Sequence, residues 1–267
     1  MPGDCAIAPL MTTTSNPHGA LEFVIHVERL YTALATAALR EPGTGHEPSL
    51  GGKLLYAGSL NAEARALLVA ANIAGAASLA VSADADARKL ALREGVVDFL
   101  VTSLDEALRI LKNEIRKRTT VAVCVASESK ASETDFAGEM LRRGVRSDLT
   151  SGIEAVLPDA DQVLLAWSVA SETAQWLPKL DAIALHCIGS DSSPACATAR
   201  RWLRLAPRYL GRMAQGLRLL RCDEQTAVKL QQEIREQVER GEIGISVDVW
   251  QSRKGQAEWS SFAPLTR

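Results

Sequence analysis

The chain has 267 residues, enough for one large α/β domain or two small ones. It is 47% hydrophobic with a net charge of −2, which supports a sizeable core and gives no global reason to bind nucleic acid or an anionic membrane. Aromatics are only 4%, which favours close helix-on-sheet packing over an aromatic-rich sandwich.

Residues 1–18 read as a disordered tail. Met1 to Asn16 has no basic segment followed by an apolar core, so it does not read as a signal peptide. No stretch approaches the roughly 20 apolar residues of a membrane span. The five cysteines (Cys5, Cys124, Cys187, Cys196, Cys222) are widely and irregularly spaced, without a C-x-x-C. They read as reduced thiols of a cytoplasmic protein.

Residues 19–48 read as an N-terminal helix and a linker. The helix runs from Gly19 to Leu39, and EPGTGHEPSLGG follows over 41–52 with two prolines and four glycines. From there a strand–helix rhythm sets in. Strands are expected at 53–57, 77–82, 96–101 and 120–126, and helices at 61–74, 84–94, 103–118 and 132–143. Ser103 with Glu106 three residues on is a capping-box pattern. Gly95 and Gly144 close helices.

The second half keeps the rhythm less clearly. Strands are expected at 162–167, 182–188, 217–221 and 243–250, and helices at 171–177, 194–209 and 225–240. The tail 251–267 reads as polar and irregular. Apolar strands alternating with amphipathic helices imply a Rossmann-like, doubly wound, mostly parallel sheet with helices on both faces and an N-terminal helical extension. One α/β domain over 49–250 is the simplest division.

Two loops are candidate ligand sites. Gly58-Ser59-Leu60-Asn61 stands where a βαβ unit places its phosphate loop, and Asp84 follows the second strand. Gly189-Ser190-Asp191-Ser192-Ser193-Pro194 lies between an expected strand and an expected helix. Ser193 suits an N-cap there and Pro194 a first helical position. Seven arginines lie between Arg200 and Arg221, with no acidic residue from Ser192 to Cys222. Salt bridges within the chain or across a dimer are their plain explanation. His18, His26, His46 and His186 are scattered, so no metal site is expected. His186 and Cys187, adjacent on an expected strand, point to opposite faces and cannot form a catalytic pair.

The stretch 50–148 resembles the NAD-binding core of urocanase (urocanate hydratase). The resemblance rests on GGKLLYAG, AANIAGAASLAV, REGVVDFLVTSLDEALRIL and EMLRRGVRSDL. It implies a Rossmann-like fold and, in that family, tightly held NAD+ that acts as an electrophile on urocanate.

The family's cofactor loops are altered here. A glycine-rich run shaped like GLGGMGGAQ falls on Gly58 to Arg65, where this chain has GSLNAEAR. The family's ribose-binding glutamate falls on Ser82, two residues before Asp84. Its GNAAE-type loop is replaced by SESKASETD. Its TDQTSAHD-type segment is replaced by Asp148 followed by LTSGIEAVLP.

The expectation is therefore a urocanase-like protein without urocanate hydratase activity. NAD is disfavoured and no cofactor is expected. A nucleotide or small anionic ligand would contact Gly58, Ser59, Asn61 and Asp84, together with Gly189, Ser190, Ser192 and Ser193. The alternatives are an NAD-dependent hydratase with a rebuilt phosphate loop, and a non-enzymatic interaction or oligomerisation module. No membrane or nucleic-acid partner is expected, and a homo-oligomer is open.

Overall fold

The computed structural model describes residues 17–40, 48–150, 152–155, 159, 161–253 and 256–264. The expected disordered tail lies outside these residues, apart from Pro17 and His18, which begin the first helix. Most of the linker, 41–47, also lies outside them.

The first half is a five-stranded parallel sheet with helices on both faces and a helix before it. Helix α1 (Pro17–Leu39) precedes β1 (Leu54–Ser59), α2 (Ala62–Ala74), β2 (Ala77–Ser82), α3 (Ala85–Glu94), β3 (Phe99–Val101), α4 (Leu104–Lys117), β4 (Val121–Ala126), α5 (Lys130–Arg142) and β5 (Leu149–Thr150). The strand order is β3-β4-β2-β1-β5, and every neighbouring pair is parallel.

Alternation along the strands sorts the helices onto two faces. Leu79, Val81, Val121, Val123 and Val125 pack with Leu104, Leu111, Phe136 and Met140 of α4 and α5. Ala80 and Cys124 point the other way, into the core with α1, α2 and Ala91 of α3. All six residues of β2 are buried, as expected of a central parallel strand.

Helix ends fall where the sequence marks them. Ser103 Oγ accepts the Glu106 N–H at 3.3 Å, and Gly75 and Gly95 close α2 and α3 at φ 94° and 75°. An added Cβ at Gly75 would also lie 2.9 Å from the Arg201 guanidinium, which would have to shift. Arg201 Nε donates to the Ile73 carbonyl at 3.0 Å, placing a cation on the C-terminal end of α2.

The second half does not extend this sheet. Strands β6 (Gln162–Val169), β7 (Arg218–Asp223), β8 (Val247–Arg253) and β9 (Gln256–Phe262) form a separate antiparallel sheet in the order β7-β6-β8-β9. Helices α6 (Thr173–Ile188), α7 (Pro194–Leu210) and α8 (Glu224–Glu239) complete it, with a 3-10 turn at Gly211–Ala214.

Two expectations fail here. The strand expected at 182–188 is the second half of α6. Trp176, Leu177, Leu180, Ile183, Ala184, Cys187 and Ile188 form its buried stripe, which is helical spacing. Pro178 inside the helix breaks the sequence signal without ending the helix. The tail expected to be irregular instead carries the end of β8 and all of β9, paired from Val247↔Phe262 to Arg253↔Gln256.

Helix α1 is more than an extension. Val24, Val27, Leu30 and Leu34 are fully buried in one core shared with α2, β6 and β7. The Tyr31 and Trp202 rings lie 5.3 Å apart, and Tyr31 Oη donates to the Thr198 carbonyl at 3.1 Å. Arg221 of β7 meets Glu28 with two bonds of 2.7 Å, both side chains being less than a tenth exposed. Thr32 Oγ1 donates to the same carboxylate at 2.8 Å.

Candidate functional site

In an open α/β sheet, ligands bind where adjacent strands send their connections to opposite faces. Strands β2 and β4 are such neighbours. The chain leaves β2 into α3 on one face and leaves β4 into α5 on the other. The natural crevice lies between Ser82-Ala83-Asp84 and Ser127-Glu128-Ser129, with the end of β1 alongside.

The protein fills that crevice itself. Glu133, in the first turn of α5, has a side chain only 3% exposed. Its Oε2 accepts the backbone N–H of Ala83 at 2.7 Å. Lys130 Nζ lies 3.0 and 3.2 Å from its two oxygens. Burial pushes the acid up, but the polar surroundings of Ser59, the Ala83 N–H and Lys130 outweigh it, so Glu133 sits below the ordinary glutamate value. Beside it, burial followed by the Glu133 charge pushes the Tyr56 phenol up to about 12. Tyr56 stacks on Phe136 with ring centroids 6.1 Å apart. Ser127 N–H donates to the Ser82 carbonyl at 2.9 Å, extending the β2–β4 pairing past the strand ends.

The sequence-marked residues at this edge come together, and their polar groups are engaged within the protein. Gly58 has φ 77° and sits at a bulge between Tyr56 and Gly58, so its freedom serves the strand end. Asn61 caps α2, its Oδ1 accepting the Ala64 N–H at 2.8 Å. Asp84 caps α3 through the N–H groups of Asp86 (2.8 Å) and Ala87 (3.1 Å), and these bonds hold its carboxyl below the ordinary range. Ser129 caps α5. The two other residues that replace small family positions form ion pairs: His26 with Glu63 at 2.7 Å, and Arg65 with Glu94.

The loop 189–193 lies elsewhere. It joins α6 to α7, so it connects two helices and does not follow a strand. Gly189 ends α6, and its carbonyl accepts from Arg200 Nη1 at 2.9 Å. Ser190 and Ser192 are exposed. Ser193 caps α7 by accepting the Cys196 N–H at 3.3 Å. Arginines 218 and 221 of the basic stretch are consumed by Asp181 and Glu28.

Beside α7 lies a cavity of about 550 Å³ that sequence reasoning did not locate. Its walls include Tyr31, Ile188 and Trp202, and its charged groups are Glu28, Asp159, Asp161, Asp223 and Arg221. Among the described residues no cluster of three His, Cys, Asp or Glu could hold a metal, and no helix is long and apolar enough to cross a membrane.

Glu133 is the residue that sequence reasoning missed. A signal was present, because Glu133, Phe136 and Met140 share the buried stripe of α5. A carboxylate on an apolar stripe is expensive unless it meets donors. A family model matches a stretch that begins inside α1 and runs just past β5, covering slightly less than half of the chain and extending the resemblance read over 50–148 at both ends. Residues 30–156 match the family model of the urocanase Rossmann-like domain, so this part of the chain is similar to that domain.

Proposed function

We propose that this is a cytoplasmic protein with a urocanase-like Rossmann fold that lacks urocanate hydratase activity and carries no NAD. The observation that supports this most is Glu133. A dinucleotide places its pyrophosphate at the strand ends and the first helix N-terminus. Here a buried carboxylate already takes the donors of that crevice, and it would repel a second anion in a poorly solvated space. The loop residues argue the same way. Asn61, Glu63 and Arg65 stand where a phosphate would need small residues, and Asp84 is committed to a helix cap.

Any small ligand fits the cavity beside α7 better than the sheet edge. Asp159, Asp161 and Asp223 disfavour an anion there, and Arg221 is already bonded to Glu28. A polar or cationic molecule suits those walls better than the nucleotide that the βαβ layout suggests.

Urocanate turnover and thermal shift with NAD test the proposal. Turnover at an enzyme-like rate, or NAD co-purifying with the chain, would overturn it.

A further inference from the structure

Among the described residues, strand β9 is an edge strand, hydrogen-bonded to β8 on one side only. It runs for seven residues, QAEWSSF, and all but Phe262 are exposed. Natural edges are usually blunted by lysine, proline or a covering element. Gln256–Phe262 contains no Lys, Arg or Pro, and Glu258 is its one charge. Trp259 is 45% exposed at its centre.

The pairing fixes which backbone groups face outward. Arg253 pairs with Gln256 across a two-residue link, and such a hairpin is closed by a doubly bonded pair. Bonded and non-bonded pairs then alternate along an antiparallel ladder. Gln256, Glu258, Ser260 and Phe262 therefore bond to β8, while Ala257, Trp259 and Ser261 turn their N–H and C=O to the open edge. The same alternation, carried through β6, turns Leu219 outward at the opposite edge. There Trp202 Nε1 donates to the Leu219 carbonyl at 2.6 Å. One edge of this sheet is covered, and among the described residues nothing pairs with the open side of β9.

We propose that β9 pairs antiparallel with β9 of a second copy of this chain, about a two-fold axis at Trp259, joining the two four-stranded sheets into one. The strand is self-complementary in that register. Trp259 faces the partner's Trp259, Ala257 faces the partner's Ser261, and Glu258 faces the partner's Ser260. No like charges oppose each other, and the outward backbone groups of Ala257, Trp259 and Ser261 meet their counterparts. Trp250 and Trp259 are already a cross-strand pair on one face. The axis brings the second pair beside them, burying both exposed indoles in a ladder of aromatic contacts.

Sedimentation velocity and amide exchange test this on the full chain. The account expects a species of twice the 28.7 kDa chain mass that populates with concentration. Trp259→Lys and Trp259→Glu each place like charges at the axis and return the protein to single-chain mass. Mixing the two variants restores the double mass, because Lys then faces Glu. In the unaltered protein, the amides of Ala257, Trp259 and Ser261 gain protection as concentration rises, a readout that needs no variant to fold. A monomer at every concentration, a dimer that survives both substitutions, a mixture that stays monomeric, or those three amides exchanging freely in the dimer overturns the proposal.

Discussion

Glu133 on α5 and Ala83 after β2 stand 50 residues apart in the chain, and a 2.7 Å bond from the Ala83 N–H to the Glu133 carboxylate ties them at the crevice of the parallel sheet. The bond joins the two connections that leave the sheet on opposite faces. A charge-assisted bond in a buried setting is among the stronger polar contacts a protein makes. It also occupies the place where a Rossmann-like sheet offers donors to a ligand.

Removing that carboxylate should destabilise the first half of the chain. Glu133→Ala leaves the Ala83 N–H without its partner, at a cost of about 1–3 kcal/mol. Glu133→Gln keeps an acceptor oxygen and should cost less. Urea unfolding of the three proteins gives the order, and a Glu133→Ala protein as stable as the parent would show that the bond is only incidental.

Acid should act through the same group. Glu133 is held below the ordinary glutamate value, so its contribution is fully present above the unfolded value of about 4.5 and fades as pH falls through the folded value. Asp223, held low against burial by its bonds to Thr226, acts in the same direction. Stability measured between pH 7 and pH 3 should fall less steeply in Glu133→Gln than in the parent. Parallel curves would remove Glu133 from the acid response.

The Glu28–Arg221 pair should couple α1 to the second sheet. Both partners are buried, so Glu28→Ala removes the carboxylate that faces the Arg221 guanidinium, at a cost of about 3–5 kcal/mol. Replacing Arg221 with Met as well should recover part of that loss, because the buried charge is then gone. Thermal melts of the single and double variants check the sign, and a double variant weaker than Glu28→Ala would contradict it.

The thiols should react in an order set by burial. Burial pushes Cys124 and Cys222 up to about 12 and raises Cys187 as well. Cys196 is partly exposed near the start of α7. Alkylation mapped peptide by peptide should label Cys196 well before the other three. Early labelling of Cys124, which is fully buried, would mean that the sheet opens easily.

The first half was legible because buried parallel strands, glycine C-caps and Ser103 all state their roles locally. The two-residue β5 was too short to show a pattern. The second half hid its topology for identifiable reasons. Pro178 and the apolar run 182–188 disguised one helix as a helix and a strand. Strand β9 has almost no buried face, so no alternation announced it. At the candidate site, the βαβ pattern puts Gly58, Ser59, Asn61 and Asp84 near one sheet edge. The residue that closes the edge comes from a helix far along the chain, and its partners are visible only once β2 and β4 are neighbours.

The most direct measurement is urocanate turnover by the purified chain with NAD supplied, read alongside its thermal shift with NAD. No hydration above the uncatalysed rate and no rise in melting temperature at millimolar NAD are expected, since a ligand that binds the folded state must raise it. Enzyme-like turnover together with an NAD-dependent rise would show that the dinucleotide displaces Glu133, and would contradict the account.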